Sequence, residues 1–163
     1  MGDGAEFEIV GGGLAGLAAA AVLARAGGKV RVLEKRRYPC VKLCGEFLSP
    51  EGLAALARVS GVEASSLVRE LGARALSKFA WRTRAGRTLE LELAPRGWAV
   101  RRDILDLWLA RRAEALGAEV RFGTAVEGPL DSGARALWAV GKEHSGLKSP
   151  FFAVKGYADD AGA

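Results

Sequence analysis

Histidine occurs once in these 163 residues, as His144, and cysteine twice, as Cys40 and Cys44. Two cysteines cannot build a disulfide framework or a four-thiolate zinc site, and one histidine leaves no His-based ligand set, so metal catalysis is not expected. Long hydrophobic runs are missing too. The longest apolar stretch, residues 14–24, is rich in alanine and falls short of the roughly 20 residues that cross a bilayer. Positive charge ahead of an apolar run is also lacking: the chain starts with Asp3, Glu6 and Glu8, and its apolar stretch follows a glycine cluster, so neither a secretory signal nor a transmembrane segment is expected and the chain reads as cytoplasmic. Low-complexity tracts are absent, and with 50% hydrophobic and 26% charged residues the chain has the composition of a folded domain. Its length suits a single domain over residues 1–163.

A net charge of +5 raises the question of nucleic acid. The basic clusters Lys35, Arg36, Arg37 and Arg101, Arg102, Arg111, Arg112 are short, and acidic residues interleave with most of the rest. A solvated basic surface, attractive to small anions, is the better reading, and no nucleic-acid partner is expected.

The chain opens with an organised unit. Phe7 to Val10 is a short apolar run ending in Gly11, Gly12 and Gly13; Leu14, Leu17, Ala18, Ala21 and Val22 then recur at helical spacing up to Ala26. Gly27 and Gly28 stop that helix, and Val30, Val32 and Leu33 form a second strand ending at Glu34. Strand, helix and strand in this order predict a right-handed crossover and parallel strands. Pro39, Gly45 and Pro50 punctuate a long loop from Lys35, followed by a short helix over 51–59. Alternation over 75–95 around Ala85-Gly86 predicts an antiparallel hairpin insertion with one wet face. A strand at 98–100, a helix over 104–116 capped by Asp103, a strand at 119–122, and weaker strands at 136–140 and 151–154 complete the reading.

Gly11, Gly13 and Gly16 match the glycine pattern of dinucleotide binding, each for a mechanical reason. Gly11 permits the tight turn off the strand, Gly13 removes the side chain that would keep a pyrophosphate from the helix N-terminus, and Gly16 lets the helix lie close on the strand. Glu34, closing the second strand, can accept hydrogen bonds from both hydroxyls of an adenosine ribose. The pattern suits FAD and NAD alike.

The run from Phe7 to Lys35, followed by Tyr38-Pro39, Lys42 and Cys44-Gly45-Glu46-Phe47-Leu48-Ser49-Pro50, resembles the N-terminal part of FAD-dependent oxidoreductases of the geranylgeranyl reductase and 4-hydroxybenzoate hydroxylase-like superfamily. The likeness resumes at Arg102-Asp103-Ile104-Leu105-Asp106 and at Gly117-Ala118-Glu119. The resemblance implies an α/β, Rossmann-like FAD-binding domain in which Gly11, Gly13, Leu14, Ala15 and Gly16 hold the diphosphate and Glu34 the ribose. It also implies that Lys35 and Arg102 lie near the cofactor and that Cys44 and Gly45 border the isoalloxazine side. From the residues alone, Arg102 has a lesser alternative as a surface partner of Asp106 one turn along, Cys44 reads equally as a buried small thiol, and Lys42 reads as solvated.

Two places depart from the pattern. Cys40 stands where many relatives have Arg, and the later Gly-Asp motif has no counterpart, the only such pair being Gly2-Asp3. The expectation is therefore an incomplete FAD-binding domain, part of a reductase or monooxygenase acting on a small prenyl or aromatic substrate, with NAD(P)H as a candidate electron donor and self-association left open. An NAD-linked dehydrogenase domain and a catalytically inactive nucleotide-binding fragment are the alternatives.

Overall fold

The computed structural model describes residues 5–128, 130, 133–141 and 155. β1 (Phe7–Val10), α1 (Leu14–Arg25) and β2 (Val30–Glu34) form the opening unit. β1 and β2 are parallel, with Phe7 beside Val30 and Val10 beside Leu33. The sheet widens on both sides: β6 (Glu119–Phe122) lies parallel to β2, and β7 (Arg135–Trp138) parallel to β1, giving the order β6-β2-β1-β7. The expected strand at 151–154 lies outside the described residues.

Helix α1 turns Gly16, Leu17, Ala20, Ala21 and Ala24 inward. Small alanines are what let it sit against both the sheet and α4 (Arg102–Ala115), whose Leu105, Leu109, Ala110 and Ala113 complete the core with Ile9 and Val32. Val22, placed on the inner face by spacing alone, is 41% exposed. In α4 the expected cap is displaced: Arg101 occupies the N-cap position without a side-chain cap bond, and Asp103 lies in the first helical turn, paired with the Arg101 guanidinium at 2.6 Å. An acidic first turn suits the helix dipole as well as a cap would.

Between β2 and α4 the chain makes a second layer. A two-residue strand, β3 (Phe47–Leu48), precedes α2 (Pro50–Ser60). The Ser49 hydroxyl accepts the Gly52 N–H at 3.1 Å, Pro50 needs no amide partner, and Gly61 ends the helix at φ +66. A third helix, α3 (Ala64–Glu70), was not legible in the sequence; it buries Leu67.

Strands β4 (Arg74–Arg82) and β5 (Thr88–Ala99) form the antiparallel hairpin, and β3 pairs with β5 to make a separate three-stranded sheet. The expected strand at 98–100 is the end of β5. The expectation of one wet face is corrected: the apolar face is open as well. Phe79 pairs with Leu91 and Trp81 with Leu89, and all four are more than half exposed. Alternation specifies which residues share a face, not what covers it.

Candidate functional site

The site is built around the turn from β1 into α1. Gly11 adopts φ +105, and a Cβ there would come within 2.4 Å of the Ala139 carbonyl oxygen just past β7. A Cβ on Gly16 would stand 1.9 Å from the Gly11 carbonyl oxygen. These two glycines are therefore required by the fold itself. Gly13 differs: it has extended backbone (φ -73, ψ -177), and a Cβ there would meet nothing within 4 Å. The helix that starts behind it has no side-chain cap and no acidic residue in its first turn. Its leading N–H groups, at Leu14, Ala15 and Gly16, have no carbonyl four residues earlier in the helix and face an anion-favouring dipole.

Glu34 is 6% exposed, and its carboxylate reaches back to this turn. One oxygen accepts the Gly12 N–H at 2.7 Å and the other the Arg36 N–H at 2.8 Å. Two carboxylate oxygens carry about four acceptor sites, so lone pairs remain for hydroxyl donors. Gly12, not singled out by the sequence pattern, is thus the residue that ties turn and carboxylate together. Lys35 is exposed, next to Glu34 in the chain.

The loop after β2 brings a second group of residues to the start of α4. Tyr38 donates its hydroxyl to the Gly12 carbonyl oxygen. Lys42 donates to the Tyr38 hydroxyl at 2.6 Å and to Asp106 at 2.6 Å. Asp106, 1% exposed, also accepts Arg102 through Nε at 3.0 Å and the second guanidinium nitrogen at 3.2 Å. The expectation that Lys42 is solvated is corrected, because its ammonium is the counter-ion of a buried carboxylate. Burial works against the Lys42 charge, but its bonds to Asp106 and Tyr38 outweigh that and raise its pKa above the ordinary value. Arg102 does pair with Asp106 one turn along, as the spacing allows, yet the pair is part-buried rather than a surface contact.

Cys44, Arg102 and Leu14 line one small cleft of about 80 Å³ together with Glu46, Phe47, Leu48, Val100 and Leu105. Glu46 fixes its rim. Its backbone sits at φ 56, unusual for a residue with a side chain, and its carboxylate accepts the Arg102 N–H at 3.1 Å and the Lys155 ammonium at 2.6 Å. Gly45 is exposed with open space around it. The Cys44 thiol has its pKa lowered, first by the Glu46 N–H that donates to its sulfur and then by the Arg102 guanidinium, against the opposing effect of burial. In a Cys40→Ser background, iodoacetamide should therefore alkylate Cys44 with a pH midpoint below that of an unperturbed cysteine, and Arg102→Gln should move it upward. An unchanged midpoint in both proteins contradicts this placement of Arg102.

Eight of the ten residues expected at the cofactor fall into two adjoining groups, Gly11, Gly13, Leu14, Ala15, Gly16 and Glu34 at the turn, and Cys44 and Arg102 at the cleft, with Leu14 common to both, while Lys35 and Gly45 are exposed and line neither. The sequence gives no sign of the parts that Tyr38, Glu46 and Lys155 play, and shows Asp106 only as a neighbour of Arg102. Among the described residues, no group of three or more His, Cys, Asp or Glu could hold a metal ion, and no helix is long and apolar enough to cross a membrane.

Residues 5–145 match the family model described as "FAD binding domain". Menaquinone reductase of Mycobacterium tuberculosis is 35% identical over 127 residues, covering 74% of this chain and 29% of that protein. Among solved structures, a geranylgeranyl bacteriochlorophyll reductase-like protein of Thermoplasma acidophilum superposes with a TM-score of 0.59 at 25% identity, over 73% of this chain and 30% of the other. The p-nitrophenol 4-monooxygenase of Pseudomonas putida superposes at 0.61 with 23% identity, over 73% and 32%, a likeness of fold. The chain thus spans under a third of the length of each of these proteins.

Proposed function

This chain belongs to the FAD binding domain family, and from that premise we propose that it carries the adenosine-diphosphate-binding part of a flavin-dependent reductase whose substrate is a small prenylated or aromatic molecule. FAD is the cofactor of the family, which decides between the two dinucleotides that the glycine pattern alone left open. The observation that supports the reading most is the joint arrangement at the turn: an uncapped helix N-terminus, open space over Gly13, and the Glu34 carboxylate bonded to Gly12 at 2.7 Å. These residues fit the adenosine diphosphate half of FAD. The amides of Leu14, Ala15 and Gly16 would hold the diphosphate, and the free lone pairs of Glu34 would take the ribose hydroxyls.

Bound FAD supplies hydride and electron transfer, and the protein supplies position and electrostatics. On this reading Cys44 and Gly45 border the flavin and Arg102 lies close to it, its charge neutralised in part by Asp106. Lys35, exposed beside Glu34, adds positive potential near the diphosphate. Reductase chemistry, rather than oxygen insertion, is supported by the relationship to menaquinone reductase, and NAD(P)H is the electron donor we propose. The test is a visible spectrum of the purified chain after incubation with FAD and removal of the excess: retained flavin absorbance is expected, and a colourless protein contradicts the assignment. FAD should also slow alkylation of Cys44 at least severalfold; equal rates with and without it place Cys44 away from the flavin.

A further inference from the structure

We propose that Tyr38, held by Lys42, is the positioning residue that aims the Gly12–Gly13 peptide at the diphosphate. This rests on the functional reading above. Three consecutive glycines form the turn, the backbone with the most conformations to lose, and something must hold it in one of them. Gly12 is held on both sides: its N–H donates to Glu34 at 2.7 Å, and its carbonyl oxygen accepts the Tyr38 hydroxyl. In a trans peptide the carbonyl of one residue and the N–H of the next point in opposite directions. Holding the Gly12 carbonyl toward Tyr38 therefore turns the Gly13 N–H away from the loop, where it would join the amides of Leu14, Ala15 and Gly16 as a further donor to the diphosphate. If the peptide were to flip, a carbonyl dipole would replace that donor and repel an anion.

Lys42 gives the clamp its direction. A hydroxyl has one proton to donate, whereas an ammonium can only donate. Because Lys42 occupies an acceptor site of the Tyr38 oxygen at 2.6 Å, the hydroxyl proton is left for Gly12. Asp106 anchors the ammonium at 2.6 Å, and the Tyr38 ring packs on Phe122 with centroids 5.0 Å apart. Burial, the largest influence on the phenol, raises its pKa, which keeps it a donor. The relay thus connects the start of α4 to the turn through residues that need not touch the nucleotide.

The experiment compares ADP, FAD and adenosine binding by the wild-type chain, Tyr38→Phe and Lys42→Met, using calorimetry for ADP and FAD and competition against FAD for adenosine. Tyr38→Phe keeps the ring on Phe122 and removes only the hydroxyl, so ADP and FAD should bind about tenfold more weakly, the weight of one well-placed hydrogen bond. Adenosine, which has no phosphate, should compete unchanged. Lys42→Met should show the same pattern with a smaller loss. Unchanged ADP affinity in both variants overturns the proposal, and so does an equal fall for ADP and adenosine, which marks a merely structural role. A wild-type chain that binds neither ADP nor FAD refutes the functional reading itself, and this proposal with it.

Discussion

Gly13→Val is expected to reduce FAD affinity at least a hundredfold while leaving the fold intact. The backbone at Gly13 is extended and a Cβ there meets nothing within 4 Å, so valine fits without strain. Valine is a poorer N-cap than glycine, which costs about 1 kcal/mol at most. Its methyl groups would instead occupy the space through which a diphosphate reaches the amides behind it. A hundredfold loss corresponds to about 2.7 kcal/mol of binding free energy. Gly16→Val is the contrast: its Cβ would stand 1.9 Å from the Gly11 carbonyl oxygen, a backbone atom that cannot move aside without disrupting the turn. Loss of cooperative unfolding is expected there. Isothermal titration paired with thermal melts separates the two outcomes. Equal destabilisation by both variants would mean that Gly13, too, serves only the fold.

Asp106→Ala is expected to lower stability by about 3 kcal/mol, near the low end for breaking a buried ion pair. The carboxylate is 1% exposed and serves two cations, Lys42 and Arg102, whose side chains are 19% and 20% exposed. Removing it leaves both charges mostly out of water without a counter-ion, and their residual exposure keeps the loss from growing further. For a chain of this size, about 3 kcal/mol is a fall of roughly 6–12 °C in melting temperature. The double variant Lys42→Met, Asp106→Leu should recover part of the loss, because it removes the stranded ammonium along with its partner. A melting temperature unchanged in Asp106→Ala would show that the two cations find adequate solvation without it.

The opening strand-helix-strand unit was legible because every level agrees there. The apolar runs have the right periods, glycines sit where the backbone must turn or pack closely, and Glu34 closes the second strand. Helix α3 was not legible: seven residues give too few turns for a periodic signal, and its one buried anchor, Leu67, looks like any isolated leucine. The hairpin's strands were readable from alternation, but the exposure of Phe79, Trp81, Leu89 and Leu91 was not, since a pattern of faces carries no information on what lies opposite.

The charged cluster shows the same boundary between local and non-local information. Arg102 with Asp106 could be seen as neighbours on one helix face. The bond from Lys42 to Asp106 joins residues 64 apart in sequence and exists only once the loop folds back on α4. For the same reason Lys42 read as solvated, and Tyr38 carried no sign that its hydroxyl reaches Gly12. The spacing places Glu34 where a ribose would lie; that its carboxylate clamps Gly12 follows from the turn's three-dimensional course, which spacing alone does not specify.

On the proposed function, the turn after β1 and the carboxylate closing β2 together recognise the adenosine diphosphate half of FAD. The deciding measurement is calorimetric titration of the chain with ADP and, separately, with FMN, because ADP carries the adenosine with both phosphates of FAD whereas FMN carries the flavin side with only one. Saturable ADP binding that FAD competes away, with FMN binding at least tenfold weaker, is the predicted result; FMN binding as tightly as ADP, or no ADP binding, would contradict it.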